Sequence, residues 1–294
     1  DWSSDVCSSD LFRDMIAALG RENRAPRLLV LENVVGLLSS GGGRDFAALC
    51  RALAGLGYEF GALTIDAALF SPQSRPRLFI VAVRAGARLA DFVSVAPALF
   101  ASPALVRAQA RLDSDLKRRW RWWSLPAPPA MNARLADVIE DDPADTRWHS
   151  PEETRKLLAL MAAPHREKLR MAMASAAPAV GALYRRTRVE GGVKRQRAEV
   201  RFDGLAGCLR TPGGGSSRQF IILVEGRNVR TRLLSGREAA RLMGLPDDYV
   251  LPRRYSESCH LLGDGVSVPV VRFLAQNLLS PDRKSTRLNS SHVA

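Results

Sequence analysis

The stretch Arg27-Leu28-Leu29-Val30-Leu31-Glu32-Asn33-Val34 decides the fold class. Its short apolar run follows Pro26 and is typical of a buried strand with parallel neighbours. Outward from it, residues 45–56 have helical periodicity, and residues 58–67 and 77–84 are predicted strands. A strand, a helix and two further strands at this spacing indicate an α/β fold.

The composition of the 294-residue chain is that of a globular protein, with 46% hydrophobic and 25% charged residues. It excludes a disordered chain, a collagen and a small disulfide scaffold. The apolar runs fall short of the roughly 18 residues that a membrane-spanning helix needs. Four Cys without metal-ligand spacing argue against a zinc site and against a secreted disulfide framework. We therefore predict no membrane partner and no metal.

The charge of the chain favours a partner that carries phosphates. The net charge is +13, from 43 basic and 30 acidic residues. Residues 181–230 hold 11 Arg and Lys against 4 Asp and Glu, a net of +7, in a composition typical of loops and short strands. The alternative is an Arg-rich surface that is only solvated. Residues 148–170, 235–244 and 267–279 are predicted helices.

Both ends of the chain are expected to be foreign to the protein. The codons of residues 1–11 and of residues 282–292 can be written as complementary strands of one oligonucleotide, which resembles a sequencing adapter. Two unrelated termini have no reason to be complementary. We therefore expect residues 1–11 and 282–294 to be adapter-derived, and the reading frame to be cut at both ends.

Three polar clusters are candidates for chemistry. Glu32-Asn33-Val34 closes the first strand, where ligands of open α/β sheets bind; the alternative is a polar loop that caps the next helix. Gln73-Ser74-Arg75-Pro76-Arg77 leads into the third strand, and its two Arg would point to one side of an extended chain; the alternative is a solvated pair. Gly263-Asp264-Gly265-Val266 precedes a helix and permits close approach of a ligand, without the spacing of a dinucleotide fingerprint.

The order and spacing of these clusters, together with Arg232-Leu233-Leu234-Ser235 and the helix after it, resemble the DNA (cytosine-5) methyltransferase family. The resemblance spans residues 32–270 and corresponds to the C-terminal part of that family. It implies a partial doubly wound, mostly parallel sheet of the S-adenosylmethionine-dependent type with an inserted, smaller target-recognition domain. The expected boundaries are 12–88 for the C-terminal half of the catalytic α/β domain, 89–250 for target recognition and 251–281 for the return to the catalytic domain.

The resemblance also implies a reaction. A methyl group passes from S-adenosylmethionine to C5 of a cytosine that is flipped out of a specific site in double-stranded DNA. Catalytic roles are implied for Glu32 at the N3 and amino edge of the base, for Arg77 at its O2 side, and for Arg75 at a phosphate or the catalytic loop. Substrate binding is implied for Asn33, Val34 and Gln73, and cofactor binding for Asp264, Gly265 and Val266. In the basic stretch we expect DNA binding by Arg195, Arg197, Arg210 and Arg218.

The sequence departs from the family in two ways. The family's Phe-x-Gly-x-Gly-Gly loop and Pro-Cys nucleophile do not occur in it, and Cys50, Cys208 and Cys259 do not follow a Pro. The family has Asn where this chain has Asp264, and a carboxylate accepts hydrogen bonds but does not donate them. We therefore expect no nucleophile in this chain and no methyl transfer by the fragment itself.

Two other classes stay open at this point. One is a non-catalytic DNA-binding relative of the family, and the presence of Pro-Cys upstream decides against it. The other is an α/β enzyme that uses S-adenosylmethionine or a nucleotide on a small substrate, which leaves the basic stretch unexplained. For the full-length protein we expect a cytoplasmic monomer, encoded by a bacterium or a phage, in a restriction-modification or orphan role.

Overall fold

The computed structural model describes residues 5–85, 93–211 and 218–279. The chain divides into two compact units. The first comprises Asp1–Ile65, Pro76–Ala127 and Phe273–Ala294, and the second Asp66–Arg75 and Pro128–Arg272. The predicted adapter segment 282–294 lies outside the described residues, as do residues 1–4. The functional boundaries expected at residues 88, 250 and 281 stay predictions.

The first unit alternates helices and strands along its first part. Its elements are α1 (Asp5–Arg21), β1 (Leu28–Val34), α2 (Arg44–Gly55), β2 (Tyr58–Asp66), β3 (Pro76–Arg84), β4 (Val93–Ser94), α3 (Pro103–Ala110), α4 (Ser114–Arg119) and β5 (Trp122–Trp123). The glycines at 41–43 all have positive φ values, and Gly43 is the N-cap of α2. A side chain at these positions would be strained, so the glycines allow the loop to turn directly into the helix.

The sheet of the first unit corrects the expected strand direction. Its strand order is β1-β3-β2, and β1 and β3 are antiparallel, with Leu31 opposite Ile80 and Val34 opposite Arg77. The α/β class is as expected, but a parallel partner for β1 in this pair is wrong. The segment between β1 and β3 contains α2 and β2 and is long enough for either direction, so neither the connection nor the apolar run of β1 determines it.

The strand β1 is also less buried than its apolar run predicts. Leu29 is buried, whereas Val30 and Val34 are 40% and 44% exposed. Both β1 and β2 are edge strands of this sheet, but they differ in what covers them. The outer side of β2 is covered by the segments at Phe100 and Trp120, whereas no described strand or bridge lies on the outer side of β1. The central strand β3 is buried on both faces from Leu78 to Val83. A continuous apolar run is therefore fully buried in β3 and only half buried in β1.

The aromatic cluster at residues 120–123 belongs to the core of the first unit. Trp120 makes edge contacts with Phe46, Phe60 and Trp122 at ring distances of 6.1, 5.9 and 5.3 Å. The backbone of Arg121 donates to Phe60 O at 2.8 Å, and a Cβ built at Gly61 would lie 1.8 Å from Arg121 O. Glycine at 61 therefore permits the close approach of these two segments.

The second unit contains a four-stranded antiparallel sheet with helices on both faces. Its strands, in the order β7-β6-β8-β9, are β6 (Ala179–Glu190), β7 (Val193–Arg201), β8 (Gln219–Glu225) and β9 (Asn228–Leu233). One face packs against α5 (Pro151–Ala159) and α6 (Ala163–Met173), and the other packs against α7 (Gly236–Leu242) and α8 (Tyr255–Asp264). A final helix, α9 (Val268–Leu274), is followed by a π-helical turn, Ala275–Leu279.

Three predictions about these elements differ from the structure or are sharpened by it. Residues 181–230, expected as loops and short strands, form the long hairpin β6–β7 and strand β8. The single helix expected over 148–170 is two helices: α5 ends at Ala159 with Leu160 as its C-cap, and α6 begins at Ala163 with Pro164 in its first turn, where a proline is tolerated. The helix expected at 235–244 is confirmed as α7, with Ser235 and Glu238 in a capping box.

Candidate active site and nucleic-acid interface

Glu32 and Arg77 form an ion pair at the end of β1 and the start of β3. Glu32 Oε1 lies 2.6 Å from Arg77 Nε, and the two side chains are 27% and 16% exposed. The antiparallel register explains the contact, because Arg77 is opposite Val34 and Glu32 is two residues from Val34 on the same face. The pair places a carboxylate acceptor and a guanidinium donor side by side at a surface that solvent reaches in part.

Asn33 and Val34 shape the end of the strand. The Asn33 Oδ1 atom accepts a hydrogen bond from Val34 N at 2.8 Å. Val34 is extended and precedes a short 3-10 turn, Val35–Leu38, whose Leu37 and Leu38 are buried. This local contact turns the chain out of the sheet directly after Glu32, as Asn side chains commonly do in turns. The alternative reading of a polar loop thus describes part of what Asn33 does.

Gln73 is fully buried, and its side-chain amide is hydrogen-bonded to residues of the second unit. Its Nε2 donates to Leu242 O at 3.0 Å, and its Oε1 accepts from Leu209 N at 3.2 Å. The neighbouring backbone pairs with Ala206, whose nitrogen donates to Pro72 O at 2.8 Å. Gln73 therefore connects the segment 66–75 to the segment around 206–209 and to the end of α7. Its substrate role stays a prediction.

Arg75 is 3% exposed and holds backbone carbonyl groups. Its Nη1 donates to Leu209 O at 2.8 Å, and its Nη2 donates to Gly263 O at 3.0 Å and to Gly265 O at 2.7 Å. Arg75 and Arg77 therefore do not act on one target, because Arg77 is paired with Glu32. Arg75 thus fixes the 263–265 loop, and the phosphate or catalytic-loop role implied for it stays a prediction.

The loop at Gly263–Val266 is held tightly against residues 210–211. A Cβ at Gly263 would lie 2.4 Å from Thr211 N, so no other residue fits there without movement. The exposed Asp264 carboxylate accepts a short hydrogen bond from the Thr211 hydroxyl. Val266 is 37% exposed. The loop thus offers a small, partly apolar surface with one carboxylate, which can border a cofactor that carries hydroxyl and amino donors.

Cys50 and Cys259 do not have the setting of an activated nucleophile. Cys50 is buried in α2, and burial raises the pKa of its thiol to about 12. Burial is also the main cause that raises the pKa of Cys259. A reactive Cys needs the opposite shift, produced by a nearby cation or helix N-terminus. Within the described residues, no group of three or more His, Cys, Asp and Glu could hold a metal ion.

The four arginines expected at DNA differ in their surroundings. Arg195 and Arg210 are exposed and have no ion pair with another described residue. Arg197 donates its Nε to Glu190 at 2.9 Å, and Arg218 lies over the Tyr255 ring at 5.3 Å. The first two are therefore available to phosphates, whereas the second two already have partners.

Sequence reasoning did not identify a further basic site beside Arg210. A cavity of about 240 Å³ is lined by Arg210, by Gly207 and Cys208, and by one edge of β6, which contributes Arg185, Arg186 and Arg188. Arg186 and Arg188 are two residues apart and therefore share a face of the strand. Basic residues alternate in this part of the sequence, but the alternation indicates a shared basic face only if residues 181–190 form a strand.

Comparison with known proteins gives a consistent result. A family model described as C-5 cytosine-specific DNA methylase matches residues 5–280. The orphan methyltransferase M.SPBetaI of Bacillus phage SPbeta is 26% identical over 232 residues, which are 77% of this chain and 49% of that protein. The type II methyltransferase M.SsoII of Shigella sonnei is 24% identical over 271 residues, 92% of this chain and 57% of that protein.

A solved structure supports the fold. A mutant of the DNMT2 protein of Spodoptera frugiperda superposes with a TM-score of 0.50 at 15% identity, over 90% of this chain and 70% of that one. At this identity the likeness shows the fold alone, which is that of a methyltransferase of the α/β class. The chain spans about half the length of the curated relatives that it matches. No helix in the described part of the chain is both long and apolar enough to cross a membrane.

Proposed function

We propose, on the premise that this chain belongs to the C-5 cytosine-specific DNA methylase family, that its full-length enzyme methylates C5 of a cytosine in double-stranded DNA. The single observation that carries the proposal is the Glu32–Arg77 ion pair, which lies where β1 ends and β3 begins. The pair supplies a hydrogen-bond acceptor and a hydrogen-bond donor, and the edge of a cytosine requires both. Its members come from two motifs that lie far apart in the sequence.

Glu32 and Arg77 would exchange their mutual contact for contacts with the base. A cytosine flipped into the site presents N3 and the exocyclic amine to Glu32 and its O2 to Arg77. N3 of cytosine accepts hydrogen bonds, so the Glu32 carboxyl group carries a proton that it donates to N3, while its other oxygen accepts from the exocyclic amine. The proton neutralises the charge that develops on the ring during nucleophilic attack at C6. Both side chains are only partly exposed, which limits competition from water at the moment of reaction.

The cofactor contacts are proposed for Asp264, Gly265 and Val266. S-adenosylmethionine, when bound, supplies the methyl group. Within this chain, Arg75 fixes Gly263 and Gly265 through their carbonyl oxygens. Asp264 is left exposed beside Thr211, where its second oxygen can accept a further hydrogen bond. Arg75 and Gln73 therefore act as positioning residues for the loop, and not as groups that touch the base.

The nucleophile is proposed to come from outside the sequence in hand. None of the four Cys of the chain follows a Pro, and burial disfavours the thiolate of Cys50 and of Cys259. We therefore infer that the 294-residue chain binds DNA without methylating it. A relative that binds DNA and whose upstream half has lost the nucleophile is the second candidate, and the same observation favours it.

Arg195 and Arg210 are proposed as phosphate contacts, with Arg197 and Arg218 in supporting positions. Proteins that neutralise DNA phosphates release counterions, so the affinity falls with salt. The names of the relatives connect them with type II modification and with phage, so we propose a bacterial or phage enzyme of either kind that meets its DNA in the cytoplasm.

Two measurements test the proposal. The first is the affinity of the 294-residue chain for a random duplex between 50 and 200 mM salt. We expect Arg195→Ala and Arg210→Ala each to reduce the salt slope by about one, with exposed Arg107→Ala as the control that leaves it unchanged. Binding that does not depend on salt would contradict the proposed interface.

The second measurement is methyl transfer from labelled S-adenosylmethionine to DNA by the full-length enzyme recovered from the source DNA. We expect Glu32→Gln to lower the rate by at least about 100-fold, as the loss of a positioned acid–base group does. The unextended chain should show DNA binding and no transfer. Methylation by the unextended chain would contradict the inference on the nucleophile. A full-length protein that binds DNA but contains no Pro-Cys and transfers nothing would identify the non-catalytic relative.

A further inference from the structure

The hairpin β6–β7 extends beyond the sheet that carries it. Strand β8 pairs with β6 only from Ala179 to Tyr184, whereas β7 pairs with β6 to its end at Glu190. From Tyr184 to Glu190, at about 3.3 Å per residue, the two strands continue for roughly 20 Å with no third strand beside them among the described residues, which leave out 212–217. The turn at Gly191 and Gly192 has φ values of 57° and 79°. Glycines in this conformation close a two-residue hairpin without adding side chains to its tip.

The outer part of this hairpin, residues 187–196, is here named the exposed ribbon. All of its residues are exposed except Glu190, which is half buried. It contains three basic residues and one acidic residue. Two of its exposed residues are apolar, Val189 at 68% and Val193 at 55%. A free two-stranded ribbon with exposed apolar groups and a positive charge is costly to maintain for folding alone, because it adds little to either core.

The two faces of the exposed ribbon differ in their bonding. On one face, Arg188 pairs with Glu199 at 2.5 Å, and Arg197, directly beyond the ribbon, is bonded to Glu190. On the other face, Thr187 lies opposite Gln196, and Val189 lies opposite Lys194. No hydrogen bond or ion pair joins Thr187, Gln196 or Lys194 to another described side chain. The second face therefore presents free donors, free acceptors and a methyl-bearing side chain.

We propose that the exposed ribbon enters the major groove of the DNA and reads base edges through Thr187, Lys194 and Gln196. The inference rests on the proposed function, and it names the part of the second unit that selects the sequence to be methylated. The major groove is about 12 Å wide and admits a two-stranded ribbon. A ribbon that lies along the groove turns one of its two faces towards the base edges, and the free face is the one that we assign to them.

The chemistry of the free face matches that of base edges. A Gln amide bonds in a bidentate manner to N6 and N7 of adenine, a Lys ammonium bonds to O6 and N7 of guanine, and a Thr hydroxyl serves either role. Val189 can contact the methyl group of thymine. On the opposite face Arg188 and Arg197 are held by carboxylates, and a base would have to displace those partners. Arg195, which lies opposite Arg188 on that face, is the exposed arginine already proposed as a phosphate contact.

The test is a selection of binding sites by the 294-residue chain from a pool of random DNA duplexes. The variants are Thr187→Ala/Gln196→Ala together and Lys194→Ala alone. Lys168→Ala is the matched control, since Lys168 is an exposed lysine on α6 away from the ribbon. All four positions are exposed, so each variant should fold, and thermal unfolding checks this. The affinity for unselected DNA is measured in parallel as a function of salt.

The unchanged chain and Lys168→Ala should enrich the same short motif. Thr187→Ala/Gln196→Ala should lose roughly 5- to 150-fold of the preference at one or two adjacent base pairs while retaining the affinity for unselected DNA. Lys194→Ala should relax a neighbouring position. Two outcomes overturn the inference and leave the proposed function standing: no enrichment by a chain that binds DNA, or the same motif with the same strength in every variant. Failure to bind any DNA overturns both.

Discussion

Arg75 and Gly265 are joined by a hydrogen bond of 2.7 Å from the guanidinium Nη2 to the carbonyl oxygen. The same nitrogen donates to Gly263 O, and Nη1 donates to Leu209 O. One buried side chain thus fixes both carbonyl groups that flank Asp264 and the segment that runs beside them. These acceptors belong to the backbone, so substitution of neighbouring side chains neither removes them nor replaces the hydrogen bonds that Arg75 donates.

Removal of Arg75 should destabilise the protein more than an ordinary surface change does. Arg75→Ala leaves three buried carbonyl oxygens without their charged donor, and we expect the free energy of unfolding to fall by about 3 kcal/mol. Arg75→Lys keeps the charge but lacks the fork that reaches three acceptors, so it should lose an intermediate amount. Urea unfolding measures both. The exposed Arg107→Ala should change stability by no more than about 0.5 kcal/mol, and an equal effect of Arg107→Ala and Arg75→Ala would refute the bridging role.

Alanine at position 263 should be far more harmful than alanine at position 20. The added Cβ at Gly263 meets the Thr211 backbone nitrogen at 2.4 Å, and backbone yields little. The added Cβ at Gly20, in helix α1, meets nothing within 4 Å. We expect Gly20→Ala to stabilise the protein by roughly 0.5–1 kcal/mol and Gly263→Ala to destabilise it by about 1–3 kcal/mol. Paired melting curves decide, and equal shifts in Tm would show that the 263 loop moves freely.

The sequence predicted the elements of the first unit better than their arrangement. Apolar runs identified β1, β2 and β3, because burial of a strand leaves a hydrophobic signature. They could not reveal that β3 lies between the other two and opposes β1, since the direction of a strand is not recorded in its hydrophobicity. The lower burial of β1 was hidden for the same reason, because an edge position depends on which neighbours a strand has.

Arg232 and Glu238 should tolerate joint replacement better than single replacement. Their side chains are fully buried, with Arg232 Nη2 2.6 Å from Glu238 Oε1, and the carboxylate also closes the capping box of α7. Either Glu238→Leu or Arg232→Met alone leaves a buried charge without its partner, and we expect a loss of about 3–5 kcal/mol. The double variant Arg232→Met/Glu238→Leu should lose clearly less than the sum of the single effects. A double-mutant cycle by chemical unfolding measures the coupling, and strict additivity would contradict it.

The carboxyl group of Glu153 should titrate far below its usual range. Hydrogen bonds from Arg147 and from the Ser150 backbone lower the pKa of Glu153 from 4.5 to about 2. A depressed pKa in the folded state stabilises the fold at any pH above 4.5, and this contribution is lost as the pH falls from 4.5 towards 2. NMR titration of the side chain measures the pKa. Arg147→Ala should return the pKa of Glu153 towards 4.5. Arg155→Ala should leave that pKa unchanged, because Arg155 lies on the same helix as Glu153 but does not bond to it.

The candidate site shows the same division between what a sequence records and what it does not. Glu32 and Arg77 were identified individually, but their contact depends on the β1–β3 register, which no local pattern specifies. Gln73 and Arg75 were identified as polar residues near a strand entrance, and the structure shows them buried with backbone partners. The sequence did not predict a shared role for the arginines of β6, because the alternation of basic residues is informative only when the segment is known to be a strand.

Under the proposed function, the pairing of Glu32 with Arg77 makes competence for catalysis depend on correct folding of the sheet. A slip of β1 against β3 by a single residue would turn Glu32 to the opposite face and separate it from Arg77. Such a molecule could keep nearly all of its hydrogen bonds and still have no site. Misfolded molecules would therefore lack the proposed DNA-modifying activity, and only molecules whose β1 and β3 strands have aligned in the correct register would have it.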